Sequence, residues 1–316
     1  MTRVLGAALL LLVLAPHPSA QQPSAVSPND LVGTWTLATT EEGGSQRVPN
    51  PRGLLIFDGA GHVFETVTRA NREQPAGAEP GLTDQQRAFA TFTGFWGRYR
   101  LDPAKKILTA QTEGGVSPNV MGRELSRTFE VTDGGDRLVV TTPGGEPHVE
   151  AGTRWTWERV PNVDNLSPMY RQVIGFWQHV VERRVNLTTG TTISESQRAP
   201  SIIVYTPSGY VGVHFPPVKR QKFAGAEPTP DEARAALRGY VGYFGALSVY
   251  PNMVFHQVLT GLSPAAGNTL KRPLDLKGDQ VQINFPPTTN QEGQRIQTQV
   301  VLKRLSGADA MIPPGR

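Results

Sequence analysis

The side chains with the greatest chemical potential are histidines and tyrosines in the second half of the chain. His256 shares one face of an alternating segment with Val254 and Val258, so an imidazole there needs a polar purpose. It can serve as a general base or as a hydrogen-bonding group in an apolar wall. Tyr243 is a hydroxyl able to polarise a carbonyl beside such a base. His179, Tyr205, Tyr210, His214, Tyr240 and Phe244 are read as lining a ligand cavity, together with Trp177 and Arg272. Three imidazoles (His179, His214 and His256) could in number form an open zinc site, but no His-x-His pair or His-Glu-x-x-His motif is present. No metal and no cofactor are therefore expected. Gly-x-Ser-x-Gly, Ser-x-x-Lys, phosphate loops and dinucleotide fingerprints are also missing, which argues against hydrolase and nucleotide chemistry. Ala110 stands in the first half where His256 stands in the second, so any such chemistry is confined to the second half.

The elements that position these groups have a period of two. Trp177, His179 and Val181 alternate with Gln178 and Val180; Val281, Ile283 and Phe285 alternate with Gln280, Gln282 and Asn284. Asp58-Gly59, Asp133-Gly134-Gly135, Pro207-Ser208-Gly209 and Lys277-Gly278-Asp279 separate these strands as turns. Thr229-Pro230-Asp231-Glu232 is a capping box with proline at the first helical position, followed by apolar residues at helical spacing from Ala233 to Phe244. Thr83 and Gln86 repeat that cap in the first half.

The chain repeats itself. Ala76-Gly77-Ala78-Glu79-Pro80 recurs as Ala224-Gly225-Ala226-Glu227-Pro228, and Gly94-Phe95-Trp96-Gly97 as Gly242-Tyr243-Phe244-Gly245. Gly33-Thr34-Trp35 is matched by Gly175-Phe176-Trp177, and Arg127 by Arg272. So long a period excludes a solenoid and implies two tandem domains of one fold, 30–160 and 171–305. Residues 161–170 read as a linker, 21–29 and 306–316 as flexible ends. Many short alternating strands with one short helix per domain point to a closed antiparallel barrel, which leaves no exposed sheet edge. The arginines Arg127 and Arg272 are expected to stack over Trp35 and Trp177 at the barrel base.

Composition agrees. Across 316 residues there are 33 glycines and 27 prolines, as many turns require, and only 18% charged residues. The net charge of +4 is small and scattered, so no nucleic-acid partner is expected. Residues 1–20 carry Arg3, then an apolar run from Val4 to Ala15, then small residues ending at Ala20, the pattern of a signal peptide. The expected location is periplasmic or secreted, with no stable membrane span once the leader is removed. With no cysteine, each domain depends on its own core rather than on disulfides.

The Gly-x-Trp at the start of each repeat resembles the entry strand of lipocalins. Ile203–Tyr210, Thr229–Glu232 and Gly239–Gly245, with Asn252–Ser263, Arg272 and Gly278-Asp279, are similar to the bacterial and fungal lipocalin-like domain family. The resemblance covers most of 171–305 and, more weakly, 30–160. It implies an all-β protein of two tandem antiparallel lipocalin-like β-barrels, each with one short helix, and no single chemistry. The expected function is binding of a small, mostly apolar or amphipathic molecule in a barrel cavity, in domain 2 rather than domain 1. Two alternatives stand beside it. One is a cofactor-free isomerase or cyclase with His256 as base; the other is a non-catalytic scaffold or interaction protein. Phe57, Phe92 and Trp96, facing Tyr205, Tyr240 and Phe244 in the repeat, favour a filled first domain.

Overall fold

A computed structural model describes residues 26–42, 46–48, 52–68, 91–147, 149–197, 200–225, 227–262 and 267–312. The leader and the first-domain helix expected after Thr83 lie outside these residues. In the first domain the strands run β1 (Gly33–Glu42), β2 (Gln46–Val48), β3 (Arg52–Phe57), β4 (His62–Thr68), β5 (Phe92–Asp102), β6 (Ile107–Gly115), β7 (Glu124–Thr132), β8 (Arg137–Thr141) and β9 (Arg154–Val160). They pair antiparallel, and β9 returns onto β1, closing an eight-stranded barrel to which β2 adds a short flap. The second domain repeats this with β10 (Gly175–Asn186), β11 (Thr192–Ser196), β12 (Ile202–Tyr205), β13 (Tyr210–Phe215), β14 (Val241–Tyr250), β15 (Met253–Gly261), β16 (Thr269–Lys277), β17 (Gln280–Asn284), β18 (Thr288–Thr289) and β19 (Arg295–Ser306). Pairing of β10 with β19 closes this barrel, with β11 and β18 outside the ring.

Short helical turns absent from the sequence reading precede each entry strand: α1 (Pro28–Leu31) before β1 and α2 (Pro168–Val173) before β10. Both begin with serine then proline, and each offers a free terminal carbonyl to the tryptophan that follows. The Trp35 indole N–H donates to Leu31 at 2.9 Å, and that of Trp177 to Val173 at 2.7 Å. Both rings are fully buried. Gly175 must be glycine: its φ is +136°, and a Cβ there would meet the Ser306 carbonyl oxygen at 1.9 Å. The arginines over these rings are not Arg127 and Arg272. Arg159 lies 4.0 Å over Trp35 and Arg304 4.1 Å over Trp177, each also donating to carbonyls of the preceding turn. The last strand, not the middle one, passes the barrel base, which is why its arginine reaches the ring. The capping box at Thr229 forms as expected on α3 (Pro230–Leu237), with Glu232 accepting from the Thr229 backbone at 2.8 Å. Beyond β19, α4 (Ala308–Met311) buries Met311, and Ala310 accepts from Gly59 of the first domain at 2.7 Å.

Register sorts the side chains into two faces, because paired residues share a face. One row runs Trp177, Ile203, Val213, Tyr243 and points into barrel 2; its neighbour runs Phe176, Val204, Gly212, Phe244 and points out. In barrel 1, Trp35, Leu55, Glu65 and Phe95 point in, while Thr34, Ile56, Phe64 and Trp96 point out. The two outward rows pack on each other, so residues of both domains form one apolar cluster. Equivalent positions of the repeat meet: Phe64 sits where a Gly212 Cβ would lie, 2.5 Å away, and Thr66 Oγ1 bonds His214 Nε2 at 2.8 Å. The barrels are thus related by an approximate two-fold, as the halves of a symmetric dimer are.

Candidate functional site in the second barrel

The inner wall of barrel 2 is largely apolar, and one polar cluster stands on it. Tyr243 on β14 and His256 on β15 both face inward, and the Tyr243 hydroxyl bonds His256 Nδ1 at 2.7 Å. Tyr205 on β12 meets the His256 ring edge-on, centroids 5.5 Å apart. Arg272 on β16 shares the inner face with Val254, stacks 4.5 Å from Phe285, and lies near enough to act on Tyr205, Tyr243 and His256. Around them stand Val211, Val213, Leu247, Val258, Leu274 and Ile283, all buried.

Burial governs the electrostatics. It pushes the Tyr243 hydroxyl up to about 12, with Arg272 opposing, and raises Tyr205 further. His256 is driven down to about 3, first by burial and then by the positive Arg272, so the ring is neutral near pH 7. When the Tyr243 O–H is the donor in its bond to Nδ1, the ring proton resides on Nε2. Two buried polar atoms then have no partner: His256 Nε2 and the Tyr205 hydroxyl oxygen. Each such group costs about 1–3 kcal/mol when left unsatisfied. Both can donate, so the cluster is shaped for an oxygen acceptor.

Of the other residues expected to line the cavity, His179 does face inward, its ring 5.6 Å from that of Phe215. His214, Tyr240 and Phe244 are corrections, because they lie on the outer side of barrel 2 against barrel 1. His214 stacks on Trp96 at 5.5 Å and bonds Thr66, and its Nδ1 bonds the Tyr240 hydroxyl at 2.9 Å. Tyr240 also packs with Phe92, Val116 and Phe223 under α3. Tyr210 is a further correction: it shares the outward face with Gly212 and is half-buried. Hence His179, His214 and His256 do not converge, and among the described residues no group of His, Asp and Glu could hold a metal ion.

Arg127 was among the residues expected to line barrel 1, but sequence reasoning missed the two carboxylates it meets there. Arg127 points inward and grips two buried carboxylates: Glu65 at 2.5 and 3.0 Å, and Glu146 at 2.7 and 2.6 Å. Its guanidinium also lies 4.7 Å from the Trp155 ring and 5.2 Å from Phe95. Burial raises Glu65, which Arg127 only partly offsets; for Glu146 burial is outweighed by Arg127, and the net shift is down. Glu65 could have been noticed as the charged residue inside the alternating run His62–Thr68.

Comparison with known proteins follows this geometry. The sequence profile described as a lipocalin-like domain matches residues 32–160 and again 174–305. No curated protein matches the chain. Among solved structures, it is similar to a protein of unknown function from Nostoc punctiforme, at 9% identity and a TM-score of 0.21, over 88% of this chain and 97% of that one. It is also similar to transferrin-binding protein B of Haemophilus parasuis, at 7% identity and a TM-score of 0.20, over 80% of this chain and 61% of that one. Among the described residues, no helix is long and apolar enough to cross a membrane.

Proposed function

The chain belongs to the lipocalin-like domain family, and on that premise we propose that it is an exported protein whose second barrel binds one small, mostly apolar or amphipathic molecule. The observation that carries this reading is the pair of unpartnered polar atoms, Tyr205 Oη and His256 Nε2, on one patch of a largely apolar inner wall. A guest with an oxygen at one end would satisfy both, while its hydrocarbon body gains roughly 25 cal/mol per Å² removed from water. Export rests on the leader pattern of residues 1–20.

The low basicity of His256 favours binding over catalysis. A general base works best with a pKa near the operating pH, and an imidazole held at about 3 takes up a proton poorly at pH 7. An uncharged imidazole is instead a good orienting group.

The test uses N-phenyl-1-naphthylamine, a neutral probe that fluoresces when desolvated. Wild type should bind it saturably at one site, and Leu247→Trp, which enlarges the inward side chain paired with His256, should abolish that binding while thermal unfolding stays cooperative. Absence of saturable binding, or binding unaltered by Leu247→Trp, refutes the reading.

A further inference from the structure

Comparison of the two barrel interiors says what the oxygen should be. Arg127 and Arg272 are equivalent in the repeat, and both lie on inward-facing rows of their barrels. In barrel 1 the guanidinium is neutralised within the protein, by Glu65 from β4 and Glu146 from the connection before β9. In barrel 2 neither carboxylate is replaced. The residue 148 positions after Glu65 is Val213, buried and inward-facing, and the corresponding connection carries Glu292, which is exposed. Among the described residues no carboxylate pairs with Arg272. Its hydrogen bond to a fixed group is to the Lys271 carbonyl at 3.1 Å, and its face is covered by Phe285. One fork that grips two carboxylates in barrel 1 is thus left open in barrel 2. It stands beside a tyrosine hydroxyl and the two unpartnered atoms of Tyr205 and His256.

We propose that the guest of barrel 2 is an amphipathic carboxylic acid whose carboxylate takes, on Arg272, the place that Glu65 and Glu146 take on Arg127. This rests on the reading of barrel 2 as a binding site and deepens it. A carboxylate matches the planar guanidinium, which an alcohol or ester oxygen does not, and its remaining lone pairs can accept from Tyr205 and His256. The apolar walls formed by Val211, Leu247, Val258 and Ile283 suit an acyl or polycyclic body. Barrel 1, by this logic, carries its own internal carboxylates and refuses such a ligand.

The experiment compares decanoic acid with methyl decanoate at pH 7.5, each displacing N-phenyl-1-naphthylamine from the full chain. Decanoate should displace the probe at about tenfold lower concentration than the ester, the worth of one charged hydrogen-bonded contact. Arg272→Met should remove that preference. Val213→Glu, which supplies the carboxylate barrel 1 already has, should do the same, and serves where Arg272→Met unfolds. Equal displacement by acid and ester, or a preference for acid that survives both substitutions, overturns the assignment of the carboxylate while leaving barrel 2 a binding site. Failure of the probe itself to bind overturns both.

Discussion

Two buried histidines make this protein sensitive to mild acid. His214, between the barrels, and His256, within barrel 2, are both held at about 3, chiefly by burial, with Arg220 and Arg272 respectively adding to it. In the unfolded chain each titrates near 6.5. A histidine with a depressed folded value keeps its neutral form in the native state, so its contribution is complete above the unfolded value and is lost as pH falls. Between those values the unfolded chain binds one more proton per histidine, and stability declines by about 1.4 kcal/mol per pH unit for each. From pH 7 to pH 5 this amounts to about 2 kcal/mol per histidine, or about 4 kcal/mol for the pair. The measurement is urea unfolding at pH 7, 6 and 5, followed by tryptophan fluorescence, for wild type, His214→Gln and His256→Gln. Each substitution has a direct cost, but the difference between two pH values within one variant cancels it. Either variant should therefore lose about 2 kcal/mol less than wild type over this interval. Carboxylates contribute equally to all three proteins. If the variants lose as much stability as wild type between pH 7 and 5, the histidines are not the neutral, buried groups described, and the account of both sites fails.

Two further substitutions probe the interface and the first barrel. Gly212→Ala places a methyl group against the Phe64 ring and should cost on the order of 1–3 kcal/mol by overpacking; adding Phe64→Leu should recover most of it, read as thermal midpoint. Arg127→Met strands Glu65 and Glu146 without their cation and should cost about 3–5 kcal/mol in urea unfolding at pH 7. Adding Glu65→Gln and Glu146→Gln should restore a large part, and an additive loss across the triple variant would refute the triad as one unit.

The period of two, the turns, the Gly-x-Trp motifs and the self-similarity at 148 residues are local properties, and they were sufficient to define two tandem barrels. So was the inward face of β15, where Val254, His256 and Val258 alternate with Phe255 and Gln257; β14 was not resolved, since its neighbours Tyr243 and Phe244 were both expected inside. The same logic could not resolve β12 and β13. Ile202–Tyr205 and Val211–Phe215 are buried on both sides, one by the barrel interior and the other by the partner barrel. Alternation marks two faces but carries no sign when both are dry. For that reason His214 was expected inside and is found between the domains, beside Tyr240 and Phe244, while Tyr205, from the same pair of strands, is inside. The Arg127 triad was hidden for a different reason. Its members are separated by 62 and 19 residues, and only closure of the ring brings β4, β7 and the loop before β9 to one point. The chain's own order of residues therefore determined that there are two barrels and what each strand presents. Which face each barrel turned toward its twin, and which charges met inside, depended on closure and docking, because those contacts join residues whose spacing along the chain bears no relation to their separation in space.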